Sequence, residues 1–274
     1  MRGLIAPLEH VRPRTLHEAL RILRDDPDVV PLAGATDLYV SLNFGTLKGR
    51  RFLDIWHLRS LRRIADKGDM LSIGALATFS AISASRAVRS RIPMLVAASR
   101  EIGGIQIQNR GTLGGNVANA SPAADTLPVL AAAEATVLLL SRAGERRVPI
   151  TSYYTGYRSS VKRSDELIAA IEIPRLDERQ YFRKVGTRAA QAISKVGMAA
   201  IRGASPRIAL GSVAPTVVRL PRTESALAQG ASVEEAVRIL ESEIHPIDDV
   251  RSTAEYRRRV AGNLLRDCFG SASA

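Results

Sequence analysis

Two short stretches carry residue types that could hold a ligand. The first is "PLAGATDL", residues 31–38, where a candidate strand ends in Ala33-Gly34-Ala35 and a candidate helix opens at Thr36-Asp37. Small residues let backbone N–H groups approach a ligand, and a helix N-terminus favours an anion. The same residues also fit a plain strand–turn–helix with Thr36 or Asp37 as the helix cap. The second stretch is "RGTLGGNVANASPAAD", residues 110–125, with no lysine, histidine, cysteine or aromatic side chain. Gly111, Gly114 and Gly115 stand there among Thr112, Asn116, Asn119 and Ser121. Many donors with little bulk suit a polyphosphate lying against backbone.

Known phosphate loops are narrowed by what is missing. Without the lysine of a Walker loop the run does not predict nucleotide hydrolysis, and it is not the GxGxxG of a dinucleotide fingerprint. Asp125 precedes the next candidate helix, where a carboxylate accepts hydrogen bonds from ribose hydroxyls or caps the helix. Two small-residue loops on separate subdomains predict one long ligand in a cleft between them. A dinucleotide with a central pyrophosphate has that length and chemistry.

The elements that must position these loops are legible in outline. "TLHEALRILRDD" pairs Thr15 with Glu18 in a capping-box pattern and puts Leu16, Ala19, Leu20 and Leu23 on one helical face. With strands at "DVVPLAG" and "RFLDI" and a helix at "TDLYVSLNFG", it predicts a parallel β-α-β unit. From residue 57 onward, "DMLSIGALATFSAI" reads as a strand entering a helix near Thr78, and "IPMLVAASREIGG" as a helix opened by Pro93. A short helix "DTLPVLAAAE" and strands "ATVLLLS", "RRVPI" and "ELIAAIEIP" complete an α+β unit with a mostly antiparallel sheet. After the charged link "RLDERQ", the segments "YFRKVG", "SKVGMAAIRG" and "RIALGSVAPTVVRLP" read as three strands. Helices follow at "ESALAQG", "VEEAVRILESEI" and "STAEYRRRVAGNLLRDCF", and the tail "GSASA" is expected to fray.

Composition limits the function classes. The 274 residues predict two or three compact units. Net charge is +12, which invites a nucleic-acid partner, but aromatic content is only 4% and no helix-turn-helix, zinc-finger or RNP signature appears. The basic residues are read instead as solvated faces or patches that dock acidic subunits. Cys268 is the only cysteine, which rules out an intramolecular disulfide and a cysteine-ligated iron–sulfur cluster held by this chain alone. The four histidines show no metal-ligand spacing. The most apolar run, "LPVLAAAEATVLLL", is short and holds Glu134, so no membrane span is expected. "MRGLIAPLEHVRPRTL" lacks the apolar core of a signal peptide, and the expected location is cytoplasmic.

Taken together, "PLAGATDL", "IQIQNRGTLGGNVANASPAADTLPVL", "ELIAAIEIP" and "YFRKVGTR" resemble the FAD-binding subunit of the molybdenum hydroxylases, such as xanthine dehydrogenase and carbon monoxide dehydrogenase. "RIALGSVAPTVVRLPRTESAL" and "RSTAEYRRRVAGNLL" resemble the C-terminal domain of that subunit. The resemblance implies an α+β chain: a PCMH-type FAD-binding domain over 1–176, with subdomains 1–56 and 57–176, then a domain over 177–274 with a three-stranded antiparallel sheet and helices. It assigns the FAD pyrophosphate to Leu32, Ala33, Gly34, Ala35, Thr36 and the flanking Asp37 on one loop, and to Thr112, Leu113, Gly114, Gly115 and Asn116 on the other. It assigns Asp125 as a further FAD ligand, Ile168 as an apolar flavin contact and Lys184 as a basic one. Ala35 departs from the family's more usual glycine in AGGTD.

The implied function is an electron-transfer flavoprotein. A small iron–sulfur subunit would pass electrons from a large molybdenum-cofactor subunit to FAD, and this chain would hand them to an external acceptor. The expected assembly is a dimer of such heterotrimers. FAD is expected to be non-covalent, since neither loop holds a histidine or cysteine, with molybdopterin and iron–sulfur clusters on the partners only. The competing readings are a stand-alone FAD-dependent reductase of the same fold and an interaction protein that has lost its flavin. The sequence shows no acid–base constellation for the first, and its intact loops argue against the second.

Overall fold

The N-terminal helix Leu16–Asp25 starts where the Thr15 hydroxyl accepts the Glu18 N–H at 3.1 Å. The Glu18 carboxylate returns to the N–H of Arg14 at 2.7 Å, so the expected box closes one residue early. Ala19, Leu20 and Leu23 are buried, and pack into a small core with Leu53, Ile55 and Leu58. Behind the helix lie three parallel strands in the spatial order Glu9–Val11, Arg51–Asp54, Val30–Leu32. The strand Glu9–Val11 has no apolar alternation, and only its pairing with Arg51–Asp54 identifies it. The computed structural model describes residues 8–47, 49–189 and 191–270, so most of the tail expected to fray lies outside the described residues.

The next unit is a five-stranded antiparallel sheet in the order Ile64–Asp66, Met70–Gly74, Leu167–Pro174, Thr136–Ser141, Gly144–Pro149. Its central strand reads as a continuous apolar run because both faces are covered. Leu167 and Ala169 enter the small N-terminal core, whereas Ile171 and Ile173 enter the large central one. A bulge between Ile168 and Ala170 changes the phase, so Ile168 joins the central core with Ile171. Helix Phe79–Ala84 is capped by Thr78, helix Pro93–Arg100 begins at its proline, and helix Thr126–Ala132 is buried along its whole length.

The C-terminal sheet has four antiparallel strands where three were expected: Arg179–Val185, Val196–Arg202, Arg207–Gly211 and Val218–Arg219. The segment read as one strand breaks after Gly211, where Ser212 takes a left-handed φ of 66° and donates its N–H to the Pro122 carbonyl. Side chains alternate between two cores. Val196, Met198 and Ala200 face helices Val233–Glu243 and Ala254–Phe269, while Ala199 and Ile201 face the central core. The sheet therefore ties the C-terminal helices to helix Thr126–Ala132, just downstream of the second small-residue run. Among the described residues, no helix is long and apolar enough to cross a membrane.

Candidate functional site

The two small-residue runs face each other across a cleft. On one wall the strand Val30–Leu32 ends and Ala35 adopts φ 65°, ψ 5°, left-handed backbone that an L-residue enters at a cost. Helix Thr36–Asn43 follows with Ala35 at its cap position and no side-chain cap bond. Neither Thr36 nor Asp37 caps it, because both lie inside the first turn. The first-turn N–H groups of Thr36, Asp37 and Leu38 have no acceptor among the described residues. This wall is an open helix N-terminus.

The opposite wall differs from the expected loop. Thr112 is a helix cap whose hydroxyl accepts the Gly115 N–H at 3.1 Å, and "LGGNVAN" is the helix Leu113–Asn119. The N–H groups of Leu113 and Gly114 donate to the carbonyls of Ala77 and Ala75 at 3.0 and 2.9 Å. The amides of this wall are spent on the protein, and Gly114 has no positive φ. The bare flank of Gly115 reaches the cleft, together with Thr112 and the Asn116 side chain. The Asn116 amide oxygen takes the Thr126 hydroxyl, which leaves its NH2 to the cleft.

Two glycines lock the walls in place. A Cβ on Gly34 would stand 1.8 Å from the Arg110 carbonyl oxygen, and one on Gly114 would stand 2.5 Å from the Ala75 Cβ. On Gly115 it would meet only the Thr112 hydroxyl, at 2.9 Å. The walls are also bridged by side chains: Asn119 donates to Asp37 at 3.1 Å and Arg158 donates to Asn119 at 3.0 Å.

Between the walls is a cavity of about 560 Å³, bounded by Ala33 to Asp37 on one side and by Thr112, Gly115 and Asn116 on the other. It adjoins a larger one of about 950 Å³ that runs past Asp125 to the C-terminal domain. An apolar side pocket of about 80 Å³ is lined by Ala33, Gly114 and Ile168. Three expected contacts are not on the cleft surface: Leu32, Leu113 and Lys184, whose side chain is buried behind Asp125. Leu113 is fully buried in the central core, and Leu32 is held in its strand, its carbonyl accepting the Ile55 N–H.

At the deep end Asp125 is buried and makes no cap bond to helix Thr126–Ala132. Its Oδ2 accepts from Lys184 Nζ at 2.6 Å, and Lys184 also donates to the Glu101 carbonyl at 3.1 Å. Its Oδ1 has no partner among the described residues. Burial raises the Asp125 pKa to about 6, against the opposing pull of Lys184. A carboxylate oxygen left without a donor, on a residue that lines the larger cavity, fits a hydroxyl donor from a ligand.

Lys162, which no local sequence signal singles out, lines both the 560 Å³ cavity and the apolar side pocket. Its segment "SVKRSDEL" looks like a solvated turn, and only the tertiary fold carries it to the cleft. Among the described residues, no group of three or more histidine, cysteine, aspartate or glutamate side chains could hold a metal.

The open helix N-terminus, the small-residue walls and the unpaired Asp125 oxygen fit a flavin dinucleotide. A family model described as the FAD binding domain in molybdopterin dehydrogenase matches residues 6–176, and one described as the CO dehydrogenase flavoprotein C-terminal domain matches residues 180–272. The chain is 32% identical to the glyceraldehyde dehydrogenase medium chain of Sulfolobus acidocaldarius, covering 95% of this chain and 96% of that one. It is 30% identical to the xanthine dehydrogenase FAD-binding subunit of Escherichia coli O157:H7, covering 96% and 95% respectively. Carbon monoxide dehydrogenase from Hydrogenophaga pseudoflava, in a form lacking the Mo-pyranopterin moiety, superposes with a TM-score of 0.92 at 26% identity, covering 98% of both chains. With both halves of the chain matched and its length shared with these relatives, the protein belongs to the FAD-binding subunits of the molybdenum hydroxylases.

Proposed function

We propose that the chain holds one non-covalent FAD in this cleft and works as the electron-transfer subunit of a multi-subunit molybdenum hydroxylase. The observation that carries the cofactor assignment is the uncapped first turn of helix Thr36–Asn43, facing a wall bare of side-chain bulk at Gly115. The pyrophosphate would accept from the free amides of Thr36, Asp37 and Leu38. Thr112 and Asn116 would border it on the far side, and Ala33, Gly34 and Ala35 would shape the near side. Asp125 Oδ1 would accept from a hydroxyl of the cofactor, with Lys184 holding that carboxylate in place from behind. Ile168 would supply an apolar surface in the side pocket.

The bound flavin would take electrons singly and pass them on in pairs. This chain's own residues bind and orient it, while the iron–sulfur and molybdenum centres belong to a small and a large partner subunit. The cysteine count agrees: Cys268 is buried among C-terminal helices, and burial pushes its thiol pKa up to about 12. We assign the FAD-binding domain to 1–176, with subdomains 1–56 and 57–176, and the C-terminal domain to 177–274. The assembly is read as a dimer of heterotrimers in the cytoplasm.

Acid denaturation of purified chain should release FAD into the supernatant. Release of FMN, or flavin kept in the pellet, would overturn the assignment. The isolated chain should bind FAD yet oxidise no heteroaromatic, aldehyde or carbon monoxide substrate, and adding both partner subunits should restore turnover. Oxidation by the lone chain at the rate of the complex would favour a stand-alone enzyme. Native mass spectrometry of the complex reads its stoichiometry.

A further inference from the structure

We propose that Lys162 is the counter-cation of the bound pyrophosphate, a role that rests on the flavin reading above. The ionisable side chains lining the 560 Å³ cavity, among the described residues, are Asp37 and Lys162. A pyrophosphate placed at the open helix N-terminus brings two negative charges beside the Asp37 carboxylate. The free amides offset part of that repulsion, and a cation must offset the rest. Arg158 enters from the larger cavity, but it lies 3.9 Å from Asp37 and bonds Asn119, so its charge is directed at the wall. Lys184 is committed to Asp125, and Arg251 and Arg257 of the larger cavity are paired with Asp249. Lys162 is left.

Its surroundings leave that charge available. Nζ donates to two neutral acceptors, the carbonyls of Arg163 at 2.9 Å and Glu166 at 3.2 Å. An ammonium group has three N–H donors, so one is spare. The nearby Glu166 carboxylate is taken by Arg146 at 2.9 and 2.8 Å, by the Arg163 N–H at 2.8 Å and by the Arg163 guanidinium at 3.2 Å. Lys162 therefore holds a part-buried positive charge against carbonyl dipoles, with no carboxylate bound to it among the described residues. Burial pushes its pKa below the ordinary lysine range, opposed by Glu166 and Asp165. An anion in the cavity would remove that penalty.

The test uses full-length apo chain and measures dissociation constants for FAD by flavin fluorescence, with ADP and adenosine as competitors. Lys162→Gln keeps N–H donors for the two carbonyls and removes the charge, while Lys162→Arg keeps the charge. Loss of a charge-assisted contact should weaken FAD and ADP roughly 10- to 100-fold in Lys162→Gln. Adenosine, which has no phosphate, should be unaffected, and Lys162→Arg should stay within about threefold of wild type for all ligands, well inside one such contact. If Lys162→Gln does not fold, the Lys162→Arg chain decides, and a large loss of ADP affinity in it overturns the charge role. Unchanged FAD and ADP affinity in folded Lys162→Gln, or an equal loss for adenosine, overturns the counter-cation and leaves the flavin reading standing. Wild-type chain that binds neither FAD nor ADP overturns both.

Discussion

At Ala35 a helix begins with no side chain over its first turn; at Thr112 another begins with a hydroxyl closed onto its own third residue, Gly115. Both walls of the cleft are made of small residues, but the small residues do different work. On the Thr112 wall, Gly114 lets the backbone close onto Ala75 and Ala77, which consumes its amides. On the Ala35 wall, Gly34 lets the chain meet Arg110 and leaves the following amides free. Glycine therefore marks close approach in both places, and close approach to a ligand in only one. The donors have to be counted before a glycine-rich run is read as a phosphate cradle.

The floor of the cleft tests the contrast hardest, because there charge replaces glycine. Lys184→Met leaves the Asp125 carboxylate buried without its cation, and Asp125→Asn leaves Lys184 without its anion. Lys184→Met should cost about 3–5 kcal/mol, Asp125→Asn far less because burial already disfavours that charge, and adding Asp125→Asn to Lys184→Met should recover much of the loss, read by denaturant titration. The sign with pH follows from the raised Asp125 pKa. Its stabilising contribution is complete below the ordinary value of 3.8 and is lost as pH rises through about 6. Apo-chain stability should fall across that window, and Asp125→Asn should flatten this part of the curve. A pair worth nothing in the double-mutant cycle would make the floor a passive surface like the Thr112 wall.

The two locking glycines come next. Gly34→Ala puts a methyl group 1.8 Å from a backbone oxygen that has no rotamer to escape into. The expected loss is roughly 3 kcal/mol, together with loss of bound flavin. Gly114→Ala presses on Ala75 and should behave in the same way. If Gly34→Ala spares stability, the walls are not locked there and the cleft can open.

Much of the scaffold was legible because its signals are local. Thr15 with Glu18, Thr78, Pro93 and the apolar run 167–173 each announce their element within a few residues. The strand Glu9–Val11 was not legible, since pairing alone defines it, and neither was the break at Ser212, which is set by a bond to Pro122. In the cleft, the two small-residue runs singled out in the sequence face each other, while the pairing of Asp125 with Lys184 was not legible in it. The sequence misjudged the Thr112 wall as a loop, because acceptors at Ala75 and Ala77 lie far off in the chain. Lys162 was missed for the same reason: its role depends on what the fold sets opposite it.

The caps themselves compare the walls at about 1 kcal/mol. Thr112→Val removes the hydroxyl over Gly115 at a buried position and should lower stability by about 1 kcal/mol. Ala35→Gly should raise it by roughly 0.5–1 kcal/mol, because glycine enters the left-handed region without Cβ strain. Thermal melts of the two variants should move in opposite directions. A shift in the same direction would mean that Ala35 is not strained in solution.

Gly115→Ala carries the smallest expected change in stability and separates the two uses of glycine most cleanly. Its new methyl would contact only the Thr112 hydroxyl, a side chain able to turn, so little of the protein must move. Alanine also favours a helix over glycine by roughly 0.5–1 kcal/mol, which offsets the strained cap. The melting temperature should therefore stay close to wild type. The methyl group points into the space between the walls, where the cofactor is assigned, so FAD affinity should fall although the fold is intact. Gly34→Ala should lose both together. If Gly115→Ala instead bound FAD like wild type, the bare flank of the Thr112 wall would not touch the cofactor, and the ligand would lie wholly against the open helix N-terminus at Ala35.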